Sequence, residues 1–311
     1  MIFFFPVMDV MEKDTILVPV DFSDVAYFAM DHALSIARNF GHKLVLLHVL
    51  AKKDRVGLKK QEAEDKLSDF SAKLSRVHDL KVSYLVRQGN IYTTISELAD
   101  ELHAAFIVMG VQGEKGAKHL AGSYAYRVVC CANAPVLVVK NHHHHLGFRN
   151  IVVPIDFSKR SVQKVAQAVK FARYFHAKIR VFGFLSSQNK AKIINKEALL
   201  KSVNDFFEEN GVKVSAHLVV KPGMDWPEAL ILFAQQVDAD LIMIVAERGG
   251  RIQDLFSTNH TERILDAVHI PVLTIVPGSA DLAVESKSAP HRLLTPFVDP
   301  FGFLKQPGIT D

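Results

Sequence analysis

Two hydrophobic patterns alternate along the chain. Short apolar, often β-branched runs recur, the first at 16–20, and such runs are typical of strands buried on both faces of a sheet. Between them, apolar residues return every three or four positions, first over 23–40, which predicts amphipathic helices. This alternation predicts an α/β fold built around a parallel sheet.

The pattern predicts the following elements. Strands are expected at 16–20, 44–49, 81–86, 106–109, 136–139, 151–155, 179–184, 214–220, 241–245 and 272–276. Helices are expected at 23–40, 59–77, 91–102, 125–131, 161–175, 196–209, 228–237 and 261–267. Five strands in each half, joined by right-handed crossovers, predict an open sheet covered by helices on both faces.

The chain contains the same sequence pattern twice. The segment TILVPVDFS at 15–23 returns as NIVVPIDFS at 150–158, 135 residues later. Near the end of each copy, PVL at 135–137 returns as PVL at 271–273, now 136 residues later. An internal repeat of this kind indicates two related units, here called repeat one and repeat two.

The repeat and the chain length predict the same domain organisation. A chain of 311 residues corresponds to two domains at about 150 residues each. We predict domain one over 1–142, domain two over 146–279 and a C-terminal tail over 280–311. The last strands, 136–139 and 272–276, are edge strands that we expect to pair with each other, which would make the chain an internal pseudo-dimer.

Composition and charge exclude several classes of protein. The net charge of +4 is mild and not concentrated, so no nucleic-acid partner is expected. Apolar runs are too short for a transmembrane helix or a signal peptide, so no membrane partner is expected. The only cysteines are the neighbours Cys130 and Cys131, interpreted as buried small hydrophobic residues. Because adjacent cysteines cannot form a disulfide that links distant parts of the fold, a reducing, cytoplasmic location is expected.

Residues suited to ligand binding follow the predicted strands of repeat one. Asp21 comes directly after the first strand, Val49 ends the second, and GVQG at 110–113 follows the fourth. Ligands of open α/β sheets bind at this carboxyl edge. Glycines let backbone N–H groups approach a phosphate, and Gly122-Ser123, at the start of a helix, would offer a hydroxyl and unpaired N–H groups.

Spacing alone leaves other interpretations open. A turn followed by a helix cap would use the same glycines and serine. The tract His142–His145 could bind a metal, but a solvated hinge between the domains is the preferred interpretation, so no metal site is predicted. The chain has no Walker A, G-x-S-x-G or H-E-x-x-H motif, and Asp21 has no evident base and nucleophile beside it.

The combined pattern resembles the universal stress protein family. The resemblance rests on VPVDFS at 18–23, LHV at 47–49, the glycine and serine spacing over 110–123, and APVLVV at 134–139. It covers about 14–140 and 149–277. The resemblance implies two tandem flavodoxin-like, Rossmann-like five-stranded sheets of the adenine nucleotide alpha hydrolase type. It also implies ATP binding, with Mg, in the many members that carry G-x2-G-x9-G-(S/T).

Carried over position by position, the resemblance implies a nucleotide site in domain one. The implied residues are, for adenine and ribose, Pro19, Asp21 and Val49; for ribose and phosphates, Met109, Gly110, Gln112 and Gly113; and for terminal phosphates, Gly122, Ser123 and Tyr124. Two departures stand out. Eight residues rather than nine separate Gly113 from Gly122, and Tyr124 replaces a small aliphatic residue.

Domain two lacks most of the same motif. Asp156 is retained, but Val245 and Arg248 replace the first two glycines, and Thr258-Asn259 replace Gly-Ser. Domain two is therefore expected to bind no nucleotide. The resulting hypothesis is a regulatory protein whose partners are an adenine nucleotide and an unidentified protein, with a further homodimer open. The alternatives are a slow ATP hydrolase and a scaffold or small-ligand carrier without nucleotide, which the shortened loop favours.

Overall fold

The computed structural model describes residues 13–51, 56–111, 121–140, 147–155, 159–245 and 260–275. Repeat one contains β1 (Thr15–Pro19), α1 (Asp24–Phe40), β2 (Lys43–Leu50), α2 (Val56–His78), β3 (Val82–Gln88), α3 (Ile91–Glu101), β4 (Phe106–Gly110), α4 (Ala121–Cys131) and β5 (Val136–Val139). Repeat two contains β6 (Asn150–Ile155), α5 (Lys159–Phe175), β7 (Lys178–Leu185), α6 (Lys190–Glu209), β8 (Val214–Val220), α7 (Trp226–Gln236), β9 (Leu241–Val245), α8 (His260–Ala267) and β10 (Val272–Ile275).

The strands form one continuous sheet in the order β3-β2-β1-β4-β5-β10-β9-β6-β7-β8. All neighbouring strands are parallel except β5 and β10, which are antiparallel with Val138 opposite Val272. The buried Thr274 hydroxyl donates to the Val136 carbonyl over 3.1 Å across this junction. The predicted α/β fold and the predicted pairing of the last strands are both confirmed.

Strands matched their predicted bounds better than helix starts did. The bounds of β5, β8 and β9 are those predicted. In contrast, α4 begins at Ala121, four residues before its apolar pattern, so Gly122 and Ser123 lie inside its first turn. Likewise α6 begins at Lys190, after the cap residue Asn189, whose side chain accepts the Lys192 N–H over 3.1 Å. Polar first turns carry no apolar period, so the sequence pattern misses them.

Two apolar clusters cover the two faces of the sheet. The first packs β-strand residues such as Ile16 and Val18 against α1, α2, α5 and α6. The second packs the alternate residues, such as Leu17, against α3, α4, α7 and α8. Both clusters contain residues of both repeats, so the two units share their cores.

Aromatic rings join the repeats on the first face. Phe171 of α5 is fully buried, and its ring centroid lies 5.7 Å from that of Phe40 in α1 and 5.8 Å from that of Phe106 in β4. The Phe40 ring also lies 4.1 Å from Tyr174. Such ring pairs stabilise a folded protein by more than the burial of their apolar area alone. We call these four residues, with Phe148 and Phe175, the aromatic junction.

A buried histidine borders the aromatic junction. His42 is 4% exposed, and its ring centroid lies 5.8 Å from that of Phe40 and 6.1 Å from that of Phe106. Neither ring nitrogen has a hydrogen-bond partner among the described residues. Burial lowers the pKa of His42 to about 4, although the charge of Asp14 acts to raise it. His42 is therefore neutral in the folded protein at neutral pH.

Two further observations concern the helices and the cysteines. No helix in the described ranges combines the length and apolarity needed to cross a membrane. Cys130 is half-buried and Cys131 is exposed, and neither forms a disulfide bond within the described ranges. The interpretation of both cysteines as buried hydrophobic residues is therefore wrong for Cys131, which lies at the last position of α4 and faces solvent.

We expect acid to destabilise the fold through His42. In the unfolded chain this group takes up a proton near its ordinary pKa of 6.5, but in the folded chain only near 4. The free energy of unfolding is therefore unaffected by His42 above pH 6.5. It should fall by about 3 kcal/mol as the pH is lowered from 6.5 towards 4. Urea unfolding of the wild type and of His42→Leu at pH 7 and pH 5 measures this.

The control for that experiment is His103→Asn, which changes an exposed histidine. His103 has a φ of 46°, a conformation that asparagine tolerates. His42→Leu should lose less stability between pH 7 and 5 than the wild type, and His103→Asn should lose the same amount. Equal losses in all three proteins would exclude His42 as the cause.

We expect the aromatic junction to make the repeats unfold together. Phe171→Ala should lower the free energy of unfolding by about 3–5 kcal/mol, because it empties a fully buried ring site. Trp226, the single tryptophan, reports on repeat two, whereas far-UV circular dichroism reports on both repeats. The two signals should coincide during urea unfolding of the wild type and separate in Phe171→Ala.

The matched control is Phe207→Ala. Phe207 is equally buried but belongs to α6 and to no ring contact between the repeats that the structure describes. This variant should also be destabilised, yet its two signals should still coincide. Coincident signals in both variants would show that the junction does not couple the repeats.

Candidate functional site

The chain order of the strands reverses between β1 and β4, which are neighbours in the sheet. Just beyond these strands, the Val20 N–H donates to the Leu47 carbonyl and the Val111 N–H to the Val139 carbonyl, each over 2.8 Å. Val20, which precedes Asp21, and Val111 therefore mark the same edge of the sheet, on either side of a crevice between β1 and β4. This is the switch point at which open α/β sheets bind ligands.

Asp21 is exposed and fixed by a local turn. Its Oδ1 accepts the Ser23 backbone N–H over 3.0 Å and the Ser23 hydroxyl over 2.5 Å. The Ser23 hydroxyl in turn accepts the Ala26 N–H over 3.4 Å and caps α1. The carboxylate is thus held at the mouth of the crevice by the start of a helix.

His48, which the sequence analysis did not select as a site residue, supports this turn. Its Nδ1 lies 2.7 Å from the Val20 carbonyl. Because a carbonyl only accepts, Nδ1 carries the proton. Its ring centroid lies 5.0 Å from that of Phe22, whose φ is 62°. Lys66 covers the same phenyl ring, with its Nζ 5.5 Å from the centroid. The only sequence signal was the LHV triplet at 47–49.

Three predicted site residues share the α3 and α4 face of the sheet. Met109 is 6% exposed and belongs to the second apolar cluster, and the half-buried Val49 packs against it. Pro19 follows Leu17, a member of that cluster, by two positions, so the strand period puts it on the same face. The edge next to α4 therefore presents a small apolar surface.

Gly110 packs against α1, on the opposite face. A Cβ at this position would lie 2.3 Å from the Val25 carbonyl oxygen and 2.9 Å from the Ala26 nitrogen. Because both atoms belong to the backbone, no side-chain movement could relieve the contact. The glycine thus allows the first turn of α1 to approach the end of β4, a role that the sequence motif did not suggest.

The first turn of α4 contains Gly122 and Ser123. The first N–H groups of a helix have no partner within it and attract anions. Tyr124 is 44% exposed, and Ile91 at the start of α3 is 40% exposed. The remaining site residues of repeat one, Gln112 and Gly113, lie outside the described residues, as does the tract His142–His145.

The corresponding edge of repeat two is built differently. Trp226 and His260 align with Ile91 and Tyr124, and their rings meet 5.7 Å apart in an edge contact. Beside them Asp225 of the α7 cap forms an ion pair with Arg263 of α8, and this hydrogen bond lowers the pKa of the Asp225 carboxyl. These contacts tie α7 to α8. Asp156, Arg248, Thr258 and Asn259 lie outside the described residues.

A groove of about 410 Å³ lies on the other face, between α1 and α2. It is lined by Phe22, Tyr27, Lys66, Asp69, Phe70 and Lys73, and by none of the predicted site residues. No group of three or more histidine, cysteine, aspartate or glutamate side chains that could hold a metal occurs in the part of the chain that the structure describes.

Fold and edge geometry define a tandem of two flavodoxin-like units. The sequence profile of the universal stress protein family matches residues 13–140 and 147–276. The chain belongs to this family, with one copy of its domain in each repeat.

The chain is also similar to individual proteins and solved structures. A universal stress protein of Methanocaldococcus jannaschii is 33% identical over 138 residues, 40% of this chain and 81% of the relative. A universal stress protein structure from Archaeoglobus fulgidus matches 86% of this chain and all of its own, at 18% identity and a TM-score of 0.69. Another from Archaeoglobus fulgidus, in complex with dAMP, matches 41% of this chain and 97% of its own at 24% identity, with a TM-score of 0.35.

We expect Gly110→Ala to destabilise the protein by about 3 kcal/mol, because its Cβ would meet the α1 backbone. Gly57→Ala is the control, since Gly57 is in the exposed first turn of α2 and a Cβ there meets nothing within 4 Å. That substitution should stabilise the protein by about 0.5–1 kcal/mol. Thermal unfolding of both variants tests the close approach of α1, and equal melting temperatures would contradict it.

Proposed function

We propose that repeat one binds ATP and that the protein acts by regulation rather than by catalysis. The observation that carries the proposal is that Asp21 follows β1 at the switch point with β4, where Val49 and Met109 share the face of the sheet covered by α3 and α4. Gly122 and Ser123, in the first turn of α4, add helix N–H groups to the proposed site. An exposed carboxylate, an apolar surface and unpaired helix N–H groups match the three parts of an adenine nucleotide: its polar groups, its base and its phosphates.

The proposed contacts follow the chemistry of each residue. Pro19, Val49 and Met109 would contact the adenine ring, and the Asp21 carboxylate would accept a hydrogen bond from the adenine amino group or a ribose hydroxyl. The phosphates would lie along the backbone of Gly110, Gln112 and Gly113 and at Gly122, Ser123 and Tyr124. Magnesium would be held through the phosphates, as this ion commonly is.

Exposed side chains around the proposed site support the proposed regulatory role. Ile91 and Tyr124 are exposed at the starts of the two helices that flank it. Nucleotide occupancy would change the surface around them, and an as yet unidentified protein would bind that surface. Exposed aromatic and apolar side chains are common at such contacts.

The remaining assignments are proposals on the same footing. We propose domain one over 1–142, domain two over 146–279 without nucleotide, and a tail over 280–311. We also propose a cytoplasmic location, since disulfides are rare there and neither cysteine forms one within the described residues. Measurement of the mass in solution tests whether the whole chain forms a homodimer.

Calorimetric titration with ATP and mass spectrometry of co-purified nucleotide test the proposal. The wild type should bind ATP, Gly113→Val should abolish binding, and Ser123→Ala and Asp21→Ala should each weaken it about tenfold, the loss of roughly one charge-assisted hydrogen bond. Asp156→Ala, the equivalent change in repeat two, is the control and should leave the affinity unchanged.

Two results would overturn this function. If the wild type has no affinity for ATP, a scaffold or ligand carrier is the better description. If the wild type hydrolyses ATP and Asp21→Ala removes that turnover, the protein is a hydrolase.

A further inference from the structure

Repeat two has lost a carboxylate that repeat one uses at the amino ends of its strands. In repeat one, Lys43 at the start of β2 forms an ion pair with Asp14, with 3.0 Å between Nζ and Oδ1. The equivalent lysine, Lys178, is retained at the start of β7, but the position of Asp14 is occupied by Arg149. The lysine is thus retained in both repeats, but the acidic partner of repeat one is replaced by a basic residue in repeat two.

Two further polar substitutions lie beside Lys178 on the α7 face of the sheet. Arg180 occupies the position of Val45, which is buried in repeat one. His217 is opposite Phe182 in the strand register, just as Leu85 is opposite Leu47. Repeat two therefore carries an arginine and a histidine where repeat one carries apolar residues.

Neutral groups hold the Arg180 guanidinium. Its Nε donates to the Asn150 side-chain oxygen over 3.3 Å, and its Nη1 donates to the Ser215 hydroxyl over 3.1 Å. Within the described ranges no carboxylate forms an ion pair with Lys178 or Arg180. Both charges are thus left without a counter-ion there, which is costly for the half-buried Arg180.

The neighbouring carboxylate of Asp240 is engaged elsewhere. It accepts the Arg149 backbone N–H over 2.7 Å and the Asn150 N–H over 3.0 Å. These two bonds fix the entry to β6 and direct the carboxylate oxygens at main-chain donors.

His217 completes the cluster on β8, one of the two outermost strands of the sheet. Its Nε2 lies 3.2 Å from the Ser215 hydroxyl oxygen, and its ring lies 5.4 Å from that of Phe233 in α7. Partial burial and the charges of Arg180 and Lys178 lower the pKa of His217. The imidazole therefore lies within the field of both cations while remaining open to solvent.

We propose that Lys178, Arg180, Ser215 and His217 form a binding site for a small oxyanion of the phosphate class. The lysine ammonium and the free guanidinium N–H groups would donate to the anion, as would the serine hydroxyl or a protonated His217. The site lies at the amino ends of β7 and β8, apart from the proposed nucleotide crevice, and does not depend on it.

Nuclear magnetic resonance of the full chain tests this site. Titration of inorganic phosphate at constant ionic strength should shift the His217 Cε1–H resonance with saturation, and should raise the pKa of His217 since a bound anion favours its charged form. Arg180→Val, which installs the residue of repeat one, should weaken binding at least tenfold. Glycerol 2-phosphate distinguishes the source, because tighter binding of the ester would indicate a phosphorylated metabolite rather than free phosphate.

Lys178→Gln and Lys43→Gln form the matched pair. Lys178→Gln should weaken phosphate binding several-fold, whereas Lys43→Gln, at the equivalent position of repeat one, should not. This pair decides the question even if Arg180→Val alters the fold, which circular dichroism would reveal. The proposal is overturned by a shift that does not saturate, by an equal response to chloride, or by equal affinities of the two lysine variants.

Discussion

The antiparallel pairing of β5 with β10 is the constraint on which the rest of the molecule depends. Each five-stranded unit ends in a short apolar strand whose backbone groups need a partner, and three residue pairs join the two edges. Closing each edge with the other removes an aggregation-prone surface from both units. It also allows both apolar clusters to run through the junction, where the aromatic rings of α1 and α5 meet.

The same pairing decides which ends of the two repeats lie together. Because β5 and β10 run in opposite directions while all other neighbours are parallel, the carboxyl edge of repeat one points the same way as the amino edge of repeat two. The crevice at β1 and β4 and the cluster on β7 and β8 therefore belong to the same end of the sheet. Six strand spacings, about 29 Å, separate β1 from β7.

Hydrophobic periodicity predicted the strands, and the recurring sequence segments predicted the two repeats. The need of edge strands for a partner predicted the pairing of the last strands. The spatial role of single residues could not be predicted in this way. Gly110 matched a phosphate-loop motif, yet its hydrogen faces the backbone of Val25, a contact made by residues far apart in sequence. In the sequence, His48 is an ordinary strand position, and only the structure shows that its ring nitrogen contacts the Val20 carbonyl. Comparison of the two repeats within the sheet register was also needed to recognise that Arg180 replaces a buried valine.

The carboxyl edges of the two repeats are built on the same fold but are fixed by different kinds of contact. At the crevice of repeat one, the contacts of Asp21 and Ser23 are local to one loop and one helix cap, and His48 of the adjacent strand β2 adds a contact to the Val20 carbonyl. The Trp226–His260 contact and the Asp225–Arg263 ion pair of repeat two instead link separate helices. A ligand at repeat one could reorganise its own loop without disturbing the buried junction, because none of the groups that fix Asp21 belongs to the aromatic junction. This separation of a locally held edge from a shared core is what a regulatory site on a stable scaffold requires.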